Sequence, residues 1–306
     1  MKPLDYALHA LLLLALPPLL PGLVARVKAL AGGRRGPPLL QPYRDLWRLL
    51  HKGAVYGQGT SWVFRAGPVL SLATTLVAGV LLPLGARAAP LSFPGDVLAF
   101  AALLGLGRFF TVAAALDTGS AFEGMGASRE ASFGAVAEPV LLLVLTLLCV
   151  AAGGAGFGEV LEPVGAQAAA LTHPVLVVAA AALFVVLLSE NSRIPVDDPN
   201  THLELTMIHE VMVLDHSGPD LAFIDYGAAV KLFLFAALLA HLVLPFPAGG
   251  PAGAGVLVLG VLAVAMAVGI VESLMARLPL RRVPQLLMSA GALAALGLAV
   301  LLQRGR

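Results

Sequence analysis

Charge and cysteine are what this chain has least of. Only 12% of its residues are Asp, Glu, Lys or Arg, where a soluble domain carries about 25%. So little charge cannot solvate a whole surface, which points away from a soluble protein and towards a bilayer. Cys149 is the single cysteine, and it stands inside an apolar run. Iron–sulfur clusters usually need four thiolates, so this chain cannot hold one, and Cys149 reads as a small packing residue. The net charge of +1 gives no basic surface for nucleic acid.

What the chain has is apolar length. Hydrophobic residues make up 59% of it, and about 20 of them in a row cross a hydrocarbon core about 30 Å thick. Eight such windows stand out, near residues 4–24, 68–84, 97–115, 136–156, 174–189, 227–245, 255–271 and 284–302. The expectation is a single all-α polytopic membrane domain of about eight transmembrane helices. The first window is read as a span and not a cleaved leader, because Arg26 and Lys28 follow the apolar run instead of preceding it.

The cations are unevenly shared among the loops. Thirteen Lys and Arg, from Arg26 to Arg282, fall on one side, and four (Lys2, Arg87, Arg304 and Arg306) on the other. The positive-inside rule makes the rich side cytoplasmic and both termini periplasmic. On the rich side, Tyr43, Leu46, Trp47 and Leu50 recur at helical spacing with Arg44, Arg48 and Lys52 on another face. That pattern predicts an amphipathic surface helix, serving as a headgroup anchor or as the floor of a cavity shared with a soluble partner.

Ionisable groups inside spans cost about 3 kcal/mol each on insertion scales, so each needs a partner, a cavity or a task. Glu138, Glu190, Asp225 and Glu272 are such groups, Glu272 being expected to pair with Arg277 at the interface. The densest stretch runs from Glu190 to Glu210, E-N-S-R-I-P-V-D-D-P-N-T-H-L-E-L-T-M-I-H-E. Pro195 and Pro199 stiffen it, since proline fixes its own φ and restricts its neighbour. Glu204 closes the capping-box pattern Thr201 to Glu204 and reads either as a cap or as a proton carrier. Glu210 would share a helical face with Leu203, Met207 and Leu214, an acid on an apolar stripe. His202, His209 and His216 fall seven apart, about 10 Å along a helix, too far to share one metal ion.

The run from Glu190 to Leu205 resembles the third cytoplasmic loop of the complex I subunit 1 family. Glu190, Arg193, Pro195, Asp197, Pro199, Glu204 and Leu205 stand on matching positions, as do Arg129 with Glu138, and Asp225 with Tyr226. Asn200 and His202 replace two acids of that loop, and Val196 replaces its aromatic residue; these departures argue against a bound quinone. The stretches R-R-G-P-P-L-L-Q-P-Y-R-D-L-W-R-L-L-H-K-G and H-L-E-L-T-M-I-H-E-V-M look like the hydrogenase branch, the small membrane subunits of formate hydrogenlyase and hydrogenase-4-type complexes. The resemblance implies a non-catalytic subunit of the cytoplasmic (inner) membrane of a bacterium or archaeon. Its partners would be soluble large and small iron–sulfur hydrogenase subunits, which carry the iron–sulfur clusters and the [NiFe] centre, and antiporter-like membrane subunits. Glu138, Glu190, Asp197, Glu204, Glu210 and Asp225 would then relay protons, with Arg129, Arg193, Pro195 and Pro199 shaping and charge-pairing the loop.

Overall fold

The computed structural model describes residues 3–84, 89–161, 174–198, 207–246 and 251–304, whose regular structure is all helical, with no strand among them. The first window is two helices, α1 (Pro3–Ala15) and α2 (Leu19–Ala31), bent by 46°. Pro17 and Pro18 lack the N–H that would continue the ladder. The Leu14 carbonyl, which Pro18 cannot serve, accepts the Tyr226 hydroxyl at 2.9 Å, and the Ala15 carbonyl accepts the hydroxyl of Tyr43.

The expected surface helix is α3 (Gln41–Leu50), with no residue buried. Spans follow as α4 (Trp62–Leu81) and α5 (Asp96–Asp117). Ser61 caps α4 through its hydroxyl, which accepts the Val63 N–H at 3.1 Å. The Asp117 carboxylate at the end of α5 accepts the Ser61 N–H at 2.6 Å, the Ser61 hydroxyl at 2.8 Å and the Phe64 N–H at 3.2 Å. The two helices then pack closely through small residues, Gly67 against Ala114 and Gly107 against Thr74.

The remaining helices are α6 (Ala121–Ala152), α7 (Pro174–Glu190), α8 (Gly218–Val243), α9 (Pro251–Leu274) and α10 (Val283–Arg304). Apolar on nearly every side, α8 is the central post, packed against α1, α2, α3, α4, α7 and α9. By length and composition six helices can cross a bilayer, or seven if α1 and α2 form one bent span. Among the described residues the expected count of eight is therefore not confirmed. The window that falls short is α7, whose 17 described residues reach about 25 Å at about 1.5 Å per residue.

Three local expectations change. Arg129, expected in a loop, lies on α6, which begins at Ala121. Glu210 opens a four-residue 3-10 helix, Glu210–Val213, and α8 starts only at Gly218. The Glu210 stripe and the histidine face both assumed one unbroken helix, so neither exists among the described residues. Met207 is buried while Leu214 is exposed.

Candidate functional site

Arg108, in the middle of α5, gathers three carboxylates. Its Nη1 donates to Glu138 Oε1 at 3.0 Å, its Nη2 donates to Glu190 Oε1, and its Nε lies 3.2 Å from Glu130 Oε1. A planar guanidinium with five donors suits such a fork. Room for it comes from sequence spacing on α6: Glu130, Gly134 and Glu138 follow one another four apart, and a Cβ on Gly134 would collide with the guanidinium. Lys231 of α8 completes the network, its Nζ 2.7 Å from Glu190 Oε2. Glu190 at the end of α7 is thus a buried anion between two cations. Neither Arg108 nor Lys231 was assigned a partner from the sequence, although a charge within a span implies one.

The stretch after Glu190 is pinned by its acids. Asp197 is buried; its Oδ1 accepts the Asp198 N–H at 2.9 Å and lies 2.9 Å from Arg277 Nη2. Its Oδ2 accepts the N–H groups of Ile208 at 3.3 Å and His209 at 3.1 Å. Arg129 Nη1 donates to the Met207 carbonyl at 2.6 Å, and the Leu278 N–H donates to the Pro195 carbonyl at 2.9 Å. Arg277 therefore pairs with Asp197 and not with Glu272 as expected. Glu272 instead meets Lys28 at 2.9 Å and Arg193 at 3.6 Å. Burial draws the Arg193 guanidinium below its usual range, with Glu272 opposing that pull.

These elements enclose a cavity of about 370 Å³. Its walls include Lys28 of α2, Pro42, Asp45 and Leu46 of α3, Arg193 and Asp197 of the loop, Glu210, Asp225 of α8 and Glu272. The surface helix thus forms part of its wall, as one of the two readings of that helix expected. A second space of about 80 Å³ lies beside Arg108, Glu130, Glu190 and Lys231. Both spaces are lined by Asn191, Ser192, His209, Ile224 and Ala228, so one thin wall divides them. The smaller one has room for water, which needs about 10–15 Å³ of probe volume and a few polar partners.

The structure brings Glu210 and Asp225 to the larger space, and Glu138 and Glu190 to the Arg108 network. Pro199, Asn200, His202 and Glu204 lie outside the described residues. Val196 does not reach the cavity; it is buried in a cluster with Ala137, Val283 and Leu287. Its replacement of an aromatic residue therefore bears on packing there. Among the described residues no group of three or more His, Cys, Asp or Glu is placed to hold a metal ion.

Comparison with known proteins gives four findings. The family profile described as NADH dehydrogenase matches residues 6–303. Formate hydrogenlyase subunit 4 of Escherichia coli (strain K12) is 32% identical over 290 residues, 91% of this chain and 92% of that one. Hydrogenase-4 component C of the same organism is 33% identical over 240 residues, 78% of this chain and 74% of that one. In fold, the chain is similar to one in the membrane-bound sulfane sulfur reductase, an archaeal respiratory membrane complex. There the TM-score is 0.84 at 19% identity, covering 97% of this chain and 99% of the other.

Proposed function

Given that this chain belongs to the NADH dehydrogenase family, we propose that it is the membrane subunit of a complex I-like membrane-bound [NiFe] hydrogenase of the formate hydrogenlyase and hydrogenase-4 type. It anchors a soluble redox module at the α3 end and links it to proton or sodium movement. Orientation follows the loop charges: the α3 end faces the cytoplasm and both termini the periplasm. The clusters and the [NiFe] centre belong to the soluble partners, because Cys149 alone cannot ligate them.

The observation that carries this reading is the adjacency of the two spaces. An acid-lined cavity beside the docking face stands one wall away from a buried charge network that spans α5, α6, α7 and α8. A charge change at the cavity alters the field at Glu190 and Arg108, and water in the smaller space gives a proton somewhere to go. Asp197, with both oxygens committed to backbone N–H groups and Arg277, serves to hold the loop in this scheme.

The test uses the whole complex in sealed vesicles at matched subunit content. Glu138→Gln and Glu210→Gln keep shape and most hydrogen bonding but remove the titrating proton. Each is expected to leave assembly intact and to lower ion uptake per hydrogenase turnover severalfold. Glu204→Gln is expected to change less, because Gln also serves in a capping box. Wild-type ratios in both the Glu138 and Glu210 variants would leave a passive anchor as the better reading.

A further inference from the structure

The charge network does not balance. Arg108 and Lys231 bring two positive charges to Glu130, Glu138 and Glu190, which bring three negative ones, leaving −1 among the described residues. The surplus has a location. The buried Glu190 takes both cations, whereas the Glu138 side chain is 45% exposed. It opens not onto the interior but onto a groove of about 600 Å³ between α5 and α6.

That groove belongs in hydrocarbon. Glu138 lies fourteen residues before Ala152, the end of α6, so about 21 Å from that end at 1.5 Å per residue, within a core about 30 Å thick. That leaves about 9 Å to the opposite face of such a core. The rims are apolar, with Leu98, Phe109 and Leu142 exposed. The floor is small: Ala101 and Gly105 line it, and a Cβ on Gly105 would stand 3.2 Å from Glu138 Oε1. Small residues let a second helix backbone approach closely, while a half-exposed carboxylate facing lipid is costly.

We propose that the α5–α6 groove seats a transmembrane helix of another membrane subunit, and that this helix carries a lysine or arginine in its apolar stretch which pairs with Glu138. A neutral donor would satisfy hydrogen bonding but leave the surplus charge; a cation removes both costs. The proposal rests on the reading of the chain as one subunit of a membrane complex, and it adds which face meets the membrane partner and by what chemistry.

The experiment places a photoreactive amino acid at Leu142 in the tagged, assembled complex and identifies the captured peptide by mass spectrometry. Hydrogenase activity in the same preparation reports separately on the proposed function. The expected product is a cross-link to an apolar segment of a different membrane subunit containing Lys or Arg, lost when that residue is changed to Leu. In a second arm, Ala102→Trp, which fills the groove and leaves Glu138 in place, is expected to lower retention of that subunit in detergent at least tenfold, with this chain still folded. Capture of lipid only, of a second copy of this chain, of a segment with no basic residue, or of nothing overturns the proposal, even where hydrogenase activity is present.

Discussion

At the scale of single residues, the site is held together by buried charges that stabilise only as a set. Removing one member of a buried pair typically costs about 3–5 kcal/mol, because its partner stays behind unpaired. Lys231→Met is accordingly expected to lower stability by about 3 kcal/mol, read as thermal unfolding in detergent. Adding Glu190→Gln removes the anion that has lost one of its two cations and should restore at least a third of that loss. Purely additive effects would show that the two side chains are not coupled. The acids of this network were visible in the sequence, since a carboxylate among apolar residues stands out. The cation that organises them was not. Arg108 had no assigned role there, and the spacing Glu130, Gly134, Glu138, which makes room for its guanidinium, means nothing until α5 and α6 are known to be neighbours. Glu272 shows the complementary error: the nearest cation in sequence, Arg277, was assigned to it, while the fold brings Lys28 and Arg193 from far along the chain.

At the scale of elements, junctions matter more than spans. Asp117 ends α5 yet serves the first turn of α4, accepting from Ser61 and Phe64, so it fastens the adjoining ends of two helices. Loss of such a cap costs about 0.5–2 kcal/mol. Asp117→Ala is expected to lie in that range and to raise hydrogen exchange at residues 61–64 before any effect on the α5 interior; unchanged exchange there would show that Ser61 caps α4 alone. The apolar windows were legible because hydropathy over about 20 residues is a strong signal, and each falls on helix, the first on two. Their interruptions were less so. Helical spacing was read straight through residues 203–214, but Asp197 draws the N–H groups of Ile208 and His209 to itself, and backbone groups committed elsewhere cannot propagate a helix. The bend between α1 and α2 was likewise unmarked, although Pro17 and Pro18 stood in plain view.

At the scale of the whole molecule, the proposed docking face is the one rich in Lys and Arg, where α3 leaves Trp47 exposed beside Arg44 and Arg48. Charge reversal at Arg34, Arg35, Arg44 and Arg48 is expected to release the soluble hydrogenase subunits on purification while the membrane subunit stays folded. Their full retention would place the docking surface elsewhere. The run from Glu190 to Leu205 made the family legible from sequence, and the stretches from Arg34 to Gly53 and from His202 to Met212 its hydrogenase branch, whereas the division of the interior into two spaces came only with the fold, because their common wall is assembled from α8 and from two stretches before it.

The charge network also bears on how the chain is made. Its members enter the bilayer in chain order: Arg108 with α5, Glu130 and Glu138 with α6, Glu190 with α7 and Lys231 with α8. During synthesis each new helix therefore brings the counter-ion for one already inserted, and α5 on its own arrives with a cation and nothing to meet it. A nascent chain ending after Asp117 is expected to hold α5 poorly in the membrane, and one extended through Ala152 to hold it well. Glycosylation mapping of the two lengths reads the difference. Equal insertion of both would mean that α5 is apolar enough to carry Arg108 across unaided.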